Sequence, residues 1–179
     1  MKDVKWIVFD VDGTLTDGGL YFGPHGEEHK RFNVVDGLGF RLALSAGLKL
    51  AIVSGRKSEQ VRNRMEALGV TEIMQGIDNK REALNALKSK HNLADSEIAF
   101  VGDDINDIPA FEAVGVKIAV ANAVQYVKNR SDYVTQSFGG NGAAREAIEA
   151  VLVAQDRLES SMERYIAEIT GTAPPPVNQ

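Results

Sequence analysis

Residues 6–17 read Trp6-Ile7-Val8-Phe9-Asp10-Val11-Asp12-Gly13-Thr14-Leu15-Thr16-Asp17, an apolar run that ends in two carboxylates separated by one residue. Both faces of the run are apolar, which is typical of a parallel strand that is buried on both sides. Gly13 follows at once and permits a sharp turn out of the sheet. Ligands of open α/β sheets bind beyond the carboxyl ends of the strands, and Asp10 and Asp12 fall there. The alternative interpretation is an Asp-Gly turn that merely ends the strand.

The composition narrows the class of protein. The chain has 179 residues, a formal net charge of −5, 44% hydrophobic residues and 25% charged residues. These values are typical of one globular domain, and the negative charge argues against a nucleic-acid partner. No apolar run is long enough to span a membrane, and no signal-peptide pattern is present, so we expect a cytoplasmic location. The absence of cysteine excludes disulfides, thiolate metal sites and cysteine nucleophiles.

The rest of the chain alternates strands with helices. Two short segments around Gly23-Pro24-His25-Gly26 predict a β-hairpin over residues 18–33 that projects as a flap over the acidic strand end. We predict further strands at residues 48–53, 72–75, 96–102, 117–120 and 133–134. We predict helices at residues 36–46, 58–68, 79–91 and 143–169, with short ones ending near residues 114 and 128. This alternation predicts an α/β fold with a Rossmann-like, doubly wound parallel sheet. We assign residues 1–170 to one domain and the proline-rich residues 171–179 to a flexible tail.

Four separate segments carry residues suited to phosphate chemistry. Ser54 ends the second core strand, Lys80 begins a helix, and Asp103 and Asp107 follow the fourth core strand. Carboxylates from two strand ends form a hard oxygen site of the kind that Mg²⁺ accepts, and a lysine with a hydroxyl group can hold phosphoryl oxygens. Each residue also has a plainer interpretation: a turn residue for Ser54, a solvated charge for Lys80, and a helix cap for the acidic turn. Their joint order favours phosphoryl transfer.

These segments resemble the four motifs of the haloacid dehalogenase superfamily of phosphatases: Asp10-Val11-Asp12-Gly13-Thr14, Ser54, Lys80 and Gly102-Asp103-Asp104-Ile105-Asn106-Asp107. The resemblance covers nearly the whole chain. It implies that Asp10 attacks phosphorus to form an aspartyl-phosphate, and that Asp12 protonates the leaving alcohol and then activates water. It also implies Mg²⁺ bound by the Asp10 carboxylate, the Asp12 backbone carbonyl and Asp103. Ser54 and Lys80 would neutralise the phosphoryl oxygens, and Asp107 would orient Lys80.

The predicted hairpin stands in place of the large cap domain of many superfamily members. In this respect the sequence resembles a narrower group, the KdsC family of 3-deoxy-D-manno-octulosonate 8-phosphate phosphatases. The residues that carry this resemblance are Gly26-Glu27-Glu28, Phe32-Asn33-Val34, Asp36-Gly37-Leu38-Gly39, Ser54-Gly55-Arg56-Lys57, Arg64, Gln75-Gly76, Asn79-Lys80 and Gly139-Gly140. The resemblance implies a sugar acid phosphate as substrate and a homotetramer in which the hairpins pack together. It implies substrate contacts from Asp12, Asn33, Val34, Val35, Asp36, Gly37, Arg41, Arg56, Arg64 and Lys80. Arginines suit an anionic sugar acid, although Arg41 and Arg64 can also be interpreted as surface charges.

Two departures from the family pattern leave the substrate open. Val35 and Asn141 stand where the family often has basic residues. Phosphatases of nine-carbon, sialic-acid-type sugar phosphates share the same motifs, but Arg56 replaces the acidic residue associated with them and favours the eight-carbon sugar. An alternative of another class is a non-catalytic sugar-phosphate-binding or regulatory module, which would be expected to lack one of the four central motif residues. The resemblance further implies that the tail reaches a neighbouring site; a merely disordered tail is the alternative.

Overall fold

A computed structural model describes residues 1–26 and 28–172. The strands in these residues are β1 (Trp6–Phe9), β2 (Tyr21–Phe22), β3 (Glu28–His29), β4 (Lys49–Ser54), β5 (Glu72–Gln75), β6 (Ile98–Gly102), β7 (Val116–Ala119) and β8 (Tyr133–Val134). The helices are α1 (Val34–Ser45), α2 (Glu59–Ala67), α3 (Lys80–His91), α4 (Ile108–Phe111), α5 (Gln125–Lys128), α6 (Ala143–Ala154) and α7 (Leu158–Thr170). Short 3₁₀ turns cover Asp95–Glu97 and Ile105–Asp107.

The main sheet has the strand order β5-β4-β1-β6-β7-β8, and all of its strands are parallel. This arrangement confirms the predicted doubly wound α/β fold. The chain begins at the centre with β1, builds one side through β4 and β5, and then crosses to β6. The topological switch point therefore lies between β1 and β6, where Phe9 pairs with Val101. Ligand sites of such folds lie at this point, beyond the carboxyl ends of the strands.

The centre of the sheet is a rigid support for the residues that follow it. Strand β1 is buried along its whole length, as the apolar run predicted. The ring of Phe9 in β1 lies 5.0 Å from the ring of Phe40 in α1, and α1 also packs against α6 and α7. Close packing of this kind leaves little room for the strand end to move, so the backbone of Asp10 is held in a fixed position.

The predicted hairpin is present. Strands β2 and β3 pair antiparallel, with Tyr21 opposite His29, and a bridge between Thr16 and Phe32 closes the base of the hairpin. We call residues 18–33 the flap, of which residues 18–26 and 28–33 are described. Its outer surface is apolar, because Leu20, Tyr21 and Phe22 are all exposed, Phe22 to 64%.

The prediction of one long helix over residues 143–169 is wrong. Helix α6 ends at Ala154 and α7 begins at Leu158. Asp156 adopts a left-handed backbone conformation with φ of +55°, and the guanidinium group of Arg157 donates to the Ala46 carbonyl. The break reverses the chain so that α7 packs against α1 and α6. Helix α1 begins at Val34 rather than Asp36, because the Asn33 side chain caps it by accepting from the Val35 backbone N–H at 2.9 Å.

The C-terminal end of the described chain is a helix cap. Helix α7 ends at Thr170, and Gly171 takes a left-handed conformation with φ of +68°. The predicted tail falls largely on residues 173–179, which lie outside the described residues. The assignment of residues 1–170 to one domain stays a prediction. No helix within the described residues is long and apolar enough to cross a membrane.

Candidate active site

Three carboxylates converge at the switch point of the sheet. Asp10 follows β1, Asp103 follows β6, and Asp107 ends the 3₁₀ turn after β6; one oxygen of each lies within 4.8 Å of the others. The adjacent parallel strands bring them together, since β1 and β6 end at the same edge. Three carboxylates at this separation repel one another unless cations compensate them.

Lys80 supplies one of those cations. Its side chain is only 2% exposed, and its ammonium group donates to the Asp10 carboxylate at 2.5 Å and to the Asp107 carboxylate at 2.6 Å. Asn79 caps α3, which makes Lys80 the first residue of that helix and directs it into the sheet edge. Burial lowers the pKa of Lys80, but the carboxylates of Asp10 and Asp107 outweigh this effect and raise it. The ammonium group is therefore charged at neutral pH.

One lysine does not balance three carboxylates. Burial, reinforced by the charge of Asp107, raises the pKa of Asp10 to about 6, even though Lys80 acts in the opposite direction. Burial, together with Asp10 and Asp107, raises the pKa of Asp103 to about 8. The cluster therefore favours either protons or a further cation at neutral pH.

The Asp103 carboxylate is held by close backbone and side-chain contacts. The Thr14 hydroxyl group donates to Asp103 Oδ1 at 2.9 Å. Gly13 has φ of +92°, and any side chain there would overlap Asp103 Oδ2. Asp107 Oδ2 accepts from the backbone N–H of Asp103 at 2.9 Å. The Thr14 contact thus fixes Asp103 relative to the loop after β1, and the Asp107 contact closes the acidic turn on itself.

The donor set fits a hard divalent cation. Asp107 is already engaged, because its two oxygens accept from Lys80 and from the Asp103 backbone. Asp10 and Asp103 retain oxygens that can bind a metal, and oxygen ligands suit Mg²⁺. These are the two side chains that the sequence assigned to the metal, with the Asp12 backbone carbonyl as a third ligand. The raised pKa values of Asp10 and Asp103 agree with a site that carries an additional cation.

We expect Mg²⁺ to stabilise the protein more at high pH than at low pH. The pKa of Asp103 is raised to about 8, so the folded metal-free protein retains a proton there that the unfolded chain has lost. Stability from this group is therefore present at low pH and is lost as the pH rises through about 8. Mg²⁺ must displace the proton, so the gain in Tm should be about 5 °C larger at about pH 8.5 than at about pH 5.5.

Thermal unfolding with and without MgCl₂ across this pH range measures the effect. Asp103→Asn is the control, since it removes the ligand with the most strongly raised pKa and should shrink the pH-dependent part of the gain, leaving only the part due to Asp10. A gain that is equal at all pH values would show that Mg²⁺ does not compete with protons in this cluster.

The Asp12 side chain contacts the flap. Its side chain accepts a hydrogen bond from Lys30, which also lies 3.0 Å from Glu28. Glu28 in turn accepts from the Arg56 guanidinium group at 2.6 Å. The sequence did not predict Lys30 as a site residue. The only indication in the sequence was that a basic residue lies within the flap. The direction of its side chain depends on how the flap folds onto the sheet.

Ser54 and Asn122 stabilise the loops around the cluster. Ser54 is buried at the end of β4, and its hydroxyl group accepts from the Arg56 backbone N–H at 3.2 Å. Asn122 follows β7, donates to the Gly13 carbonyl at 3.1 Å and accepts from the Gly139 N–H at 2.6 Å. It thereby joins the loop after β1 to the Gly139-Gly140 loop, whose glycines are needed because side chains there would overlap the backbone of residues 13–17. The sequence did not single out Asn122.

The predicted substrate residues lie in different parts of the structure. Asp36 is buried and accepts from the backbone N–H groups of Gly142 and Arg145 at 3.1 and 3.0 Å, so it anchors the start of α6. Burial raises the pKa of Asp36, against these hydrogen bonds. Arg64 packs over Gly37, beside Asn33, and the three line one small cavity with Asp36.

Other predicted substrate residues are exposed. Arg41 donates to the Ala67 carbonyl at the far end of α2, so it is not brought to the carboxylates. Val34 and Val35 are exposed at the start of α1.

Comparison with known proteins agrees with this geometry. Residues 69–146 match the family model of the haloacid dehalogenase-like hydrolases. The chain is 43% identical over 165 residues to 3-deoxy-D-manno-octulosonate 8-phosphate phosphatase KdsC of Escherichia coli K12, covering 92% of this chain and 88% of that protein. It resembles the crystal structure of the Moraxella catarrhalis phosphatase in complex with magnesium, phosphate and a KDO molecule, with a TM-score of 0.87, 39% identity and 94% coverage of both chains. The cobalt-bound Haemophilus influenzae phosphatase gives a TM-score of 0.84 at 39% identity, covering 88% of this chain and 92% of that one.

The fold and the acidic switch point define a haloacid dehalogenase-like hydrolase. Within that class, the chain belongs to the KdsC family of 3-deoxy-D-manno-octulosonate 8-phosphate phosphatases.

Proposed function

We propose that the protein is a Mg²⁺-dependent phosphatase that hydrolyses 3-deoxy-D-manno-octulosonate 8-phosphate to the free sugar acid and phosphate. The observation that carries the proposal is the set of Asp10, Lys80, Asp103 and Asp107 at the switch point, of which all but the partly buried Asp103 are buried. The proposal is supported by family membership and by the sugar acid and magnesium named for the Moraxella catarrhalis relative.

In this mechanism Asp10 is the nucleophile. The charge of Lys80 opposes the rise in the pKa of Asp10, so the carboxylate remains available at neutral pH. Its oxygen attacks phosphorus as the bond to the sugar oxygen breaks, and Asp12 gives a proton to that oxygen. Asp12 then takes a proton from the water that hydrolyses the aspartyl-phosphate. Both steps need Asp12 near the leaving group, and its position between the strand end and the flap suits this role.

The remaining residues bind and stabilise charge. Lys80 and Ser54 would neutralise phosphoryl oxygens, and Asp107 orients Lys80 through a contact of 2.6 Å. Asp10, the Asp12 carbonyl and Asp103 would hold Mg²⁺, which supplies further positive charge at the phosphoryl group when bound. Arg56, exposed at the mouth of the site, would bind the substrate carboxylate after release from Glu28. Asn33, Val34, Val35, Asp36, Gly37, Arg41 and Arg64 remain proposed substrate residues.

Phosphate release from a panel of sugar acid phosphates tests the function. We expect Mg²⁺-dependent release, with the highest kcat/KM for the eight-carbon substrate. A preference for a nine-carbon sugar acid phosphate would replace the substrate and keep the chemistry. No release from any substrate, including p-nitrophenyl phosphate, would favour the non-catalytic binding or regulatory module.

Because a phosphate dianion does not cross a bilayer unaided, we propose that the enzyme works in the cytoplasm, where phosphorylated sugars are formed. Cell fractionation tests this location.

We also propose that the chain forms a homotetramer through its flaps. The exposed Leu20, Tyr21 and Phe22 form a contiguous apolar edge on the flap, and such an edge favours burial against another copy. Phe22→Asp should therefore convert the tetramer to smaller species in sedimentation velocity measurements. Val153→Asp, which changes an exposed apolar residue on α6, is the matched control and should leave the assembly intact. A wild-type monomer at micromolar concentration would contradict the proposal.

A further inference from the structure

The flap contributes one buried cation to the active site. Lys30 directly follows β3, yet its side chain is only 4% exposed. Its ammonium group contacts Asp12 Oδ1 and lies 3.0 Å from Glu28 Oε1. Lysine is almost never buried to this extent without an anionic partner, so the two carboxylates account for its position.

The contacts of Lys30 belong to a row of alternating charges. Glu28, the second partner of Lys30, accepts from Arg56 at 2.6 Å, and Arg56 lies in the loop after β4. The row thus joins Asp12, after β1, to the loop that follows the neighbouring strand, with the flap between them. The Lys30 ammonium group thus lies between two carboxylates, those of Asp12 and Glu28, which together restrict its movement. The nearby Lys30 ammonium group also lowers the pKa of Glu28, so this partner stays ionised.

We propose that Lys30 is a positioning residue for the acid–base chemistry of Asp12. The inference rests on the proposed phosphatase function and deepens it. The ammonium group fixes Asp12 Oδ1, and this leaves Oδ2 to carry the proton towards the leaving oxygen. When a bond forms between Asp10 and phosphorus, the bond between phosphorus and the sugar oxygen breaks and the Asp12 proton moves to that oxygen. Lys30 neither gains nor loses a proton in this step.

The physical reason lies in the freedom of a carboxyl group. The terminal torsion of an aspartate is broad, and the Asp12 side chain is 30% exposed, so the packing around it does not define the orientation of its two oxygens. A hydrogen bond from a buried ammonium group does define it. Since Lys30 belongs to the flap, the acid is oriented only while the flap lies on the sheet.

The dependence on the leaving group distinguishes this role from simple anchoring of the flap. An alkyl leaving group, such as the sugar oxygen, needs a proton as it departs, whereas p-nitrophenolate leaves without one. For Lys30→Met we expect kcat/KM for the sugar acid phosphate to fall about 100-fold, with only about a threefold change for p-nitrophenyl phosphate. The ratio kcat/KM is the appropriate quantity because it reports formation of the phosphoenzyme and excludes its later hydrolysis.

Two further variants complete the experiment. Arg31→Met changes the next residue of the flap, which contacts Asp17 and Asn141 instead of Asp12. Loss of flap anchoring alone should change both substrates by the same factor in this variant. Lys30→Arg keeps the charge and should give an intermediate ratio between the two substrates; this test remains if Lys30→Met does not fold.

Equal losses on both substrates in Lys30→Met, or no loss on either, would overturn the role of Lys30 while wild-type turnover still supports the phosphatase. For a Lys30→Met protein that does not fold, a wild-type substrate ratio in Lys30→Arg would overturn it. Absence of turnover in the wild type would instead overturn the proposed function, and with it this inference.

Discussion

Asp10→Asn should lower kcat by about 10⁴-fold or more, whichever phosphate ester is the substrate. An amide cannot form the acyl phosphate that the carboxylate forms, and the loss therefore does not depend on the leaving group. The protein itself should fold normally. Burial raises the pKa of Asp10 to about 6, which means that the ionised carboxylate is tolerated less well in the folded state than in the unfolded chain. A neutral side chain relieves this cost.

Two measurements on Asp10→Asn therefore move in opposite directions. Phosphate release should vanish, whereas the Tm of the metal-free protein at about pH 8 should equal or exceed that of the wild type. The expected direction of the change in Tm follows because an acid whose pKa is raised by folding makes the folded protein less stable as the pH rises towards that pKa. Asp3→Asn makes the same change on the amino side of β1 and should leave both quantities unaltered. Activity within about tenfold of wild type, in a preparation shown by mass spectrometry to be free of deamidated protein, would remove Asp10 from the role of nucleophile.

The meeting of Asp10 and Asp103 could be predicted from sequence because the carboxyl ends of adjacent parallel strands share an edge. An alternating pattern of strands and helices was sufficient to predict that sheet. The identity of Lys80 as a site residue came from the family motif, since a lysine at the start of a helix gives no other sign of burial. Its position between Asp10 and Asp107 is a property of the folded chain.

Other features of the structure could not be predicted from the sequence, because contacts between distant segments of the chain determine them. Lys30 lies in a flap whose orientation depends on contacts with the loops after β1 and β4. The break between α6 and α7 contains neither glycine nor proline; Asp156 adopts its left-handed conformation while Arg157 contacts the end of α1. The hydrogen bonds that Asp36 accepts from the start of α6 form only when α1 and α6 pack together, so the sequence did not indicate them.

Lys80→Met should be the most damaging substitution for stability and activity together. The variant leaves Asp10, Asp103 and Asp107 within 4.8 Å of one another with no lysine among them. Removal of one partner from a buried ion pair typically costs about 3–5 kcal/mol, and protonation of the carboxylates offsets part of this cost. Loss of the cation that neutralises the phosphoryl oxygens should also lower kcat by about 10³-fold at saturating Mg²⁺.

The cost should grow with pH, and this dependence identifies its cause. Lys80 lowers the pKa of Asp10, so its removal moves the folded pKa further above the ordinary value. The free energy of unfolding should then fall more steeply with rising pH in the variant than in the wild type, as measured by urea unfolding between about pH 5.5 and about pH 8.5.

Lys90→Met is the matched control for Lys80→Met, because Lys90 lies on the same helix but is exposed and pairs with Glu72 at 2.7 Å. It should cost at most about 1 kcal/mol, with no steeper pH dependence. A Lys80→Met variant with a wild-type pH slope would mean that the three carboxylates do not depend on this lysine for their charge. The cluster would then have to be compensated by some other group, and the ion pairs of Lys80 could not account for the stability of the site.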